Sequence, residues 1–487
     1  MDMKKFWKFS KLILPLLILA CMPGFTVRAE EAHSLNLNVS ISNGAGSGNL
    51  LDGDYNTATK VASGDSITIS SDEGIKGLYI AWNRVPNPWT LEAGGESLNC
   101  GENGFLHEYV ELPSVSNEIK MNFTSDSSIC YIKCYGEGEL PRDVQVWRPA
   151  DDKADILVFS AHSDDEILFM GGVLTTYTSE YDAEVQVAYM TEFWTTTPIR
   201  EHEKLDGIWT CGVTRYPVCG DFTDVYCSNL EDARSKYSED ELTAFATRTI
   251  RRFKPQVTVT HDFAGEYGHG FHLITAESVK NALNLANDEN YDADSASTYG
   301  IWDVPKAYFH LYEEGQVKLD LRHPVDAFGG QVALDVIKQA YLKHVSQQWC
   351  AFKVSDEYIP NPAHPLQGDY DCGLFGLYRT TVGPDTAGND LMENLKTYAV
   401  QEEEERIAKE EEERIKAEEE AKKKAEEEAQ KAVEEEEQKK EEEKKSASNI
   451  ITIVLIVVLA LVIFGAVAIV VMTSARRSRR RRRRRKR

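Results

Sequence analysis

Between residues 30 and 145, apolar and polar side chains alternate in short runs: NLNVSIS, SITISS, GLYIAW, YVELP, EIKMNF and CYIKCY, with turn residues between them. A period of two bounded by turns predicts short antiparallel strands, so residues 30–145 read as a β-sandwich domain. From about residue 150 the rhythm changes. Residues 154–160 read as a buried strand, 166–180 as a helix, 184–190 as a strand and 200–211 as a helix. The segment SEDELTAFATRTIRRF follows as a helix, with Ser238 and Glu241 spaced as a capping box. QVTVT is the next strand, and a further helix starts near Leu273.

Strands alternating with helices over 150–398 predict an α/β fold: a Rossmann-like, mostly parallel sheet with helices on both faces. In such sheets ligands collect beyond the carboxyl ends of the strands. Two further patterns frame this part. Residues 1–29 have a lysine-bearing start, an apolar core and small residues before Glu30, the layout of a secretory signal peptide. Residues 450–472 form a run of 23, apolar except for Thr452, long enough for one transmembrane helix. The tail 473–487 adds 11 positive charges, which the positive-inside rule puts in the cytoplasm, with everything before Ile450 outside. Between the folded part and the span, residues 401–445 are almost wholly Glu, Lys, Ala, Arg and Gln, which reads as a solvated helix or a disordered charged linker. Ile407, Ile415 and Val433 are too sparse for a sustained heptad seam.

Charge narrows the partners. The chain carries −25; with the tail (+11), the 401–445 segment (−9) and the first 29 residues (+4) set aside, the body holds −31. A surface so acidic repels nucleic acid and other polyanions, and an uncharged glycan approaches it more easily. Of nine cysteines, eight remain once Cys21 leaves with the leader, an even number that permits disulfides in an exported chain. Cys130 and Cys134, four apart in a strand, would face one side and pair elsewhere.

The candidate chemistry begins at ILVFSAHSDDEILFMGG, residues 156–172. A buried strand running into His-Ser-Asp-Asp-Glu carries polar groups that are costly to desolvate unless something binds them. His162 and Asp165, three apart at a strand end, can aim at one point, and an imidazole with a carboxylate suits zinc. His269 and His272 fall just past QVTVT and can complete the set. Asp164 stands beside these ligands as a candidate base. Alone, the two aspartates read as a helix N-cap and the His-x-x-His pair as structural; at two strand ends of one sheet, the joint pattern favours a metal site.

Residues 161–166, AHSDDE, resemble the His-Pro-Asp-Asp-Glu signature of the LmbE-like, PIG-L-type N-acetylglucosaminyl de-N-acetylases. GEYGHGFH at 265–272 resembles that family's second signature, Arg200-Glu201-His202-Glu203 its third, and Ser346-Gln347 a Ser-Gln pair near its C-terminal helix. The resemblance covers about 154–350. It implies one zinc ion per chain held by His162, Asp165 and His272, with Asp164 as general base. It implies that His269 polarises the amide or protonates the amine, that Tyr267 stabilises the oxyanion and that Arg200 contacts sugar hydroxyls. Asp221 and Asp224 in GDFTDVY line the sugar site or form an ordinary acidic loop. Two positions depart from the family pattern. Ser163 replaces a proline, and Phe271 stands where many relatives have an aspartate that orients the acidic histidine, a role left open to Asp262.

The N-terminal stretch LLDGDYNTAT, with WNRVPNPW after a strand, loosely resembles discoidin-like (galactose-binding) domains. There Asp52, Asp54 and Thr57 either hold a structural calcium ion or form a plain turn, and Trp82 and Trp89 either stack on sugar or are buried. Three functions follow from this reading: a surface-anchored zinc deacetylase of an N-acetylated amino sugar, an amidase for another acylated amine, or an adhesion protein with a relic catalytic domain. The intact His162, Asp164, Asp165, His269 and His272 argue against the relic.

Overall fold

A computed structural model describes residues 30–150, 153–181, 183–363 and 368–484. The predicted leader over 1–29, Cys21 included, lies outside the described residues. Residues up to 400 form one unit and those from 401 another.

The first part of the larger unit is a sheet of seven antiparallel strands: β1 (Asn38–Ile41), β2 (Thr59–Val61), β3 (Ser66–Trp82), β4 (Trp89–Ala93), β5 (Glu96–Cys100), β6 (His107–Phe123) and β7 (Ser127–Tyr135). The order is β2-β7-β3-β6-β4-β5, with β1 on β3. Long β3 and β6 carry register shifts at their middle, so each serves two leaves: β1 and β4 pair with one half, β7 with the other. Ile67, Ile69, Ile80, Trp82, Met121 and Ile132 from both leaves share one core. Trp82 and Trp89 are buried there, both indoles donating to Glu108 Oε2, and do not face a sugar. Asp52, Asp54 and Thr57 form a turn: Asp52 accepts from the Asp54 N–H and the Thr57 hydroxyl, and Asp54 from the Asn56 N–H. Their carboxylates are thus used locally, and nothing here supports the calcium reading.

The second part is built on a seven-stranded mixed sheet of β8 (Ile156–Ser160), β9 (Val185–Glu192), β10 (Val218–Thr223), β11 (Val257–Thr260), β12 (Lys306–His310), β13 (Gln316–Lys318) and β16 (Leu374–Thr380). A ribbon of β14 (Pro324–Val325) and β15 (Gln331–Val332) stands apart. The order β10-β9-β8-β11-β12-β16-β13 is parallel from β10 to β12, and β16 runs antiparallel to both its neighbours. Alternate strand residues feed two cores. Ile156, Val158, Val185 and Val187 pack on one face, while Leu157, Phe159, Ala188 and Met190 pack on the other.

Besides the kinked turn Gly265–Gly268, the helices are α1 (Asp165–Leu168), α2 (Gly171–Ser179), α3 (Ile199–Thr210), α4 (Leu230–Lys236), α5 (Glu239–Phe253), α6 (Gly270–Leu285), α7 (Ala293–Tyr299) and α8 (Ala333–Tyr341). Side chains of α2, α3 and α8 join the first face, and those of α5 and α6 the second. The helix expected over 166–180 is two pieces broken at Phe169 and Met170. The break sets the Phe169 ring 5.7 Å from both His272 and His310, beneath the site. Ser238 caps α5 by accepting from the Glu241 N–H.

All eight described cysteines are free thiols. Cys130 and Cys134 do not share a face: a register shift opposite Ala81 and Trp82 flips the strand at Cys130, which joins a satellite cluster while Cys134 enters the main core. The second unit consists of α9 (Tyr398–Arg484) beyond residue 400, a continuous helix. Among the described residues it is the one helix long and apolar enough to cross a membrane.

Candidate active site

The polar cluster stands beyond the carboxyl ends of β8, β9, β10, β11 and β12. Past β8, the His162 N–H and Nδ1 both meet Asp165 Oδ2, at 2.9 and 2.8 Å. Asp164 between them has a φ of +108°, a left-handed conformation rare outside glycine. Its carboxylate does not cap α1. Instead Asp164 Oδ1 accepts from Arg200 Nη2 at 2.9 Å, and the same guanidinium donates to the Ser163 carbonyl. Backbone strain held by a buried ion pair is characteristic of functional positions. Burial raises the Asp164 pKa well above the usual carboxylate range, against the opposing pull of Arg200.

Past β11, Glu266 is a hub. Its oxygens meet His261 Nδ1 at 3.2 Å, His272 Nδ1 at 2.7 Å and His310 Nδ1 at 3.0 Å, and one accepts from the Asp262 N–H. Burial alone would raise Glu266, but His261 and its neighbours hold it well below the usual range. The bond to Glu266 fixes Nδ1 of His272 as the protonated nitrogen and turns Nε2 toward Asp165 Oδ2, 3.1 Å away. Nε2 is buried and makes no hydrogen bond. Gly270 sets the approach of this segment: a Cβ there would lie 2.1 Å from the Asn229 carbonyl oxygen.

Asp165 Oδ2 therefore faces His162 Nδ1 and His272 Nε2 at 2.8 and 3.1 Å. Donors bound at about 2.0–2.1 Å around a tetrahedral zinc are separated by little more than this. His162, His269 and His272 also bring their ring nitrogens within 4.8 Å of one another. Burial opposes charge on His272, yet Asp165 and Glu266 raise it to about 10. A pocket that favours a proton there so strongly favours a divalent cation in its place. His272 Nε2, which makes no hydrogen bond, and this donor set fit a metal held by His162, Asp165 and His272.

The other expected residues divide. Tyr267 lines the cavity, and burial, then Asp165 and Asp164, raises its hydroxyl. His269 lines it too. Its Nδ1 is buried without a partner, and burial with the His162 and His272 rings lowers it to about 2. Asp262 does not supply the missing carboxylate: His269 Nδ1 has no hydrogen-bond partner, and Asp262 is engaged through its N–H with Glu266. Phe271 is buried in the core against the Tyr237 ring, 4.4 Å away. Asp224, just beyond β10, lines the cavity 3.5 Å from His162 Nε2. Asp221 lies inside edge strand β10, is exposed and does not line the cavity. Arg200 reaches the cavity, but its two terminal nitrogens are taken up by Asp164, the Ser163 carbonyl and Asp224, and its Nε is buried without a partner.

Sequence reading missed Glu266, His261, His310 and Glu203. Glu203 accepts from the Ser346 N–H at 2.7 Å and its hydroxyl at 2.6 Å, pinning the segment that carries Gln347 into the cavity. A carboxylate inside each matched motif was the available signal; their partners lie too far along the chain to be seen.

Fold and site together define a class: an α/β domain with a His–Asp–His donor set and a strained buried aspartate at its strand ends. The family described as PIG-L, GlcNAc-PI de-N-acetylase, matches residues 157–283, and that segment is a PIG-L-type deacetylase domain. A 1D-myo-inositol 2-acetamido-2-deoxy-alpha-D-glucopyranoside deacetylase of Catenulispora acidiphila is 23% identical over 193 residues, 33% of this chain and 56% of the relative. That of a Nocardioides species is 27% identical over 199 residues, 34% of this chain and 65% of the relative. The chain thus spans between half and two thirds of the length of these relatives. The N,N'-diacetylchitobiose deacetylase from Pyrococcus horikoshii, solved with an inhibitor, aligns with 40% of this chain and 71% of its own at 18% identity and a TM-score of 0.31.

Proposed function

We propose that the protein is a zinc-dependent hydrolase that removes an N-acetyl group from an N-acetylglucosamine-type sugar or conjugate. It would work outside the cell, on a membrane anchor formed by residues 450–472. The observation that carries this reading is Asp165 Oδ2 set between His162 Nδ1 and the unpartnered Nε2 of His272, beside an aspartate held in a strained conformation.

A metal held by His162, Asp165 and His272 would supply Lewis acidity, polarising the acetamide carbonyl and an attacking water. Asp164 takes the proton of that water. Arg200 and the left-handed backbone hold its carboxylate at the cavity wall, and burial makes it a stronger base than a free aspartate. Tyr267 donates a hydrogen bond to the oxygen that gains charge as the water adds to the carbonyl carbon. The C–N bond then breaks, and the nitrogen takes a proton to leave as an amine, with acetate as the other product. Asp164 holds that proton within the cavity. No carboxylate bonds His269 Nδ1, and burial outweighs the pull of Asp165 toward an imidazolium, so its part is a hydrogen bond from the neutral ring. The acidic surroundings, Asp224 among them, favour an amine product over an anionic ligand.

The test is release of primary amine from N-acetylated saccharides by the purified protein, with metal content measured in parallel. Amine release that requires about one equivalent of zinc supports the reading; zinc-loaded protein inert toward every acetamido sugar overturns it.

A further inference from the structure

We infer that the substrate is a chain of at least two sugars, uncharged next to the reacting unit, with the flanking sugar laid on Trp349 and Tyr226. This rests on the deacetylase reading and adds the substrate's length and charge. The cavity measures about 600 Å³, within the range that takes a drug-sized ligand. Two segments carry aromatic residues to its lining. Tyr226 follows β10; its ring stands 5.3 Å from His269, yet the residue is 71% exposed. Trp349 follows α8 and is 81% exposed. Exposed tryptophan is unusual, because a large apolar ring face stays wet.

The Trp349 segment is fixed from below. Ser346 makes two hydrogen bonds to Glu203 of α3, and the Phe352 ring packs tilted against Tyr267 at 4.7 Å between centroids. A fixed backbone offering a bare ring beside a polar cavity suits the C–H face of a sugar, which needs an apolar platform while its hydroxyls stay in water.

Charge narrows the flanking unit. Three carboxylates, Asp164, Asp165 and Asp224, line the cavity against one guanidinium, so even with a divalent metal bound the lining holds no net positive charge. The terminal nitrogens of Arg200 are taken up by Asp164, Asp224 and a backbone carbonyl, and its Nε is buried. Among the described lining residues, no other lysine or arginine is left to receive a phosphate beside the reacting sugar.

The experiment uses the full-length protein in detergent with β-1,4-linked N-acetylglucosamine oligomers of one to four units and with N-acetylglucosamine 1-phosphate. Amine release gives kcat and KM, and calorimetry gives binding of the tetramer. We expect kcat/KM to rise about tenfold from one unit to two, with the phosphate poorer than the single sugar. In Trp349→Ala the ratio of dimer to monomer should fall about tenfold through KM, and Trp349→Phe should restore most of it. Equal kcat/KM for one and two units, an unchanged ratio in Trp349→Ala, or preference for the phosphate overturns the inference. If no saccharide releases amine, the deacetylase reading fails separately. Calorimetry then decides: tetramer binding weakened about tenfold by Trp349→Ala supports the aromatic platform, and no binding overturns it.

Discussion

His107 Nε2 of the antiparallel sheet and His202 Nδ1 of α3 lie 2.8 Å apart, both buried, 95 positions apart in the chain. The direction of the bond is fixed by its surroundings. Trp147 can only donate, and it donates to Gln145 Oε1 at 2.8 Å, so the same oxygen accepts from His107 Nδ1. That leaves His107 Nε2 to accept from His202. Around the pair, Tyr55 and Gln145 donate to Asp206, and the Tyr55 ring stacks on His202 at 4.2 Å. Since α3 also presents Arg200 to Asp164, the N-terminal sheet buttresses the helix that holds the candidate base. His107→Ala removes the partner of the buried His202 N–H and should cost about 2–4 kcal/mol, read as a lower Tm. Turnover should fall with it at temperatures where the variant is still folded; unchanged stability and turnover would show that the two sheets act independently.

Acid stability should depend on Asp206 in a defined way. Burial lowers His107 to about 4, so between about pH 6.5 and 4 the unfolded chain takes a proton that the fold refuses, and stability falls with pH. Burial raises Asp206 to about 6, so over nearly the same window the fold takes a proton that the unfolded chain does not, and stability rises as pH falls. The two slopes oppose each other. Asp206→Asn removes the second, and its stability should fall between pH 6 and 4 more steeply than the parent's, by up to about 1.4 kcal/mol per pH unit. Parallel curves in chemical denaturation would refute the assignment.

Metal binding should depend on a residue that never touches the ion. His272→Ala should lose most bound zinc. Glu266→Gln keeps all three ligands but loosens the His272 ring, and should weaken zinc binding by about 10–100-fold in a chelator competition. Unaltered affinity in Glu266→Gln would mean that the ring is held by packing alone.

Asp164→Asn is nearly isosteric. It should keep the metal while turnover drops by about 10²–10⁴. Near-normal turnover with metal retained would remove Asp164 from the mechanism.

Phe271→Asp should not repair His269. The Phe271 ring is fully buried, tilted against Tyr237, and a carboxylate there would be an unpaired buried charge. We expect a loss of about 3–5 kcal/mol in denaturation, with Phe271→Leu much milder. A stable Phe271→Asp protein with an altered pH–rate profile would contradict this packing.

The features legible in the sequence are those written locally. Alternation in CYIKCY, the apolar run ILVFS and the amphipathic helix after Ser238 each follow from a period that a few neighbouring residues set. His162 and Asp165 could be paired because three residues at a strand end suffice to bring them together, and the apolar stretch 450–472 needs no partner to be recognised. Tertiary structure alone decided the rest. A buried polar group must find a partner, and burial depends on what folds over it, so Glu266 gathers His310 from 44 positions away and His107 meets His202 from 95. One shifted register in β7 separated Cys130 from Cys134, a displacement of backbone pairing that no side-chain pattern records. The packing of Phe271 decided against a carboxylate at His269, because which neighbour a ring meets is set by the sheet and helix on either side of it.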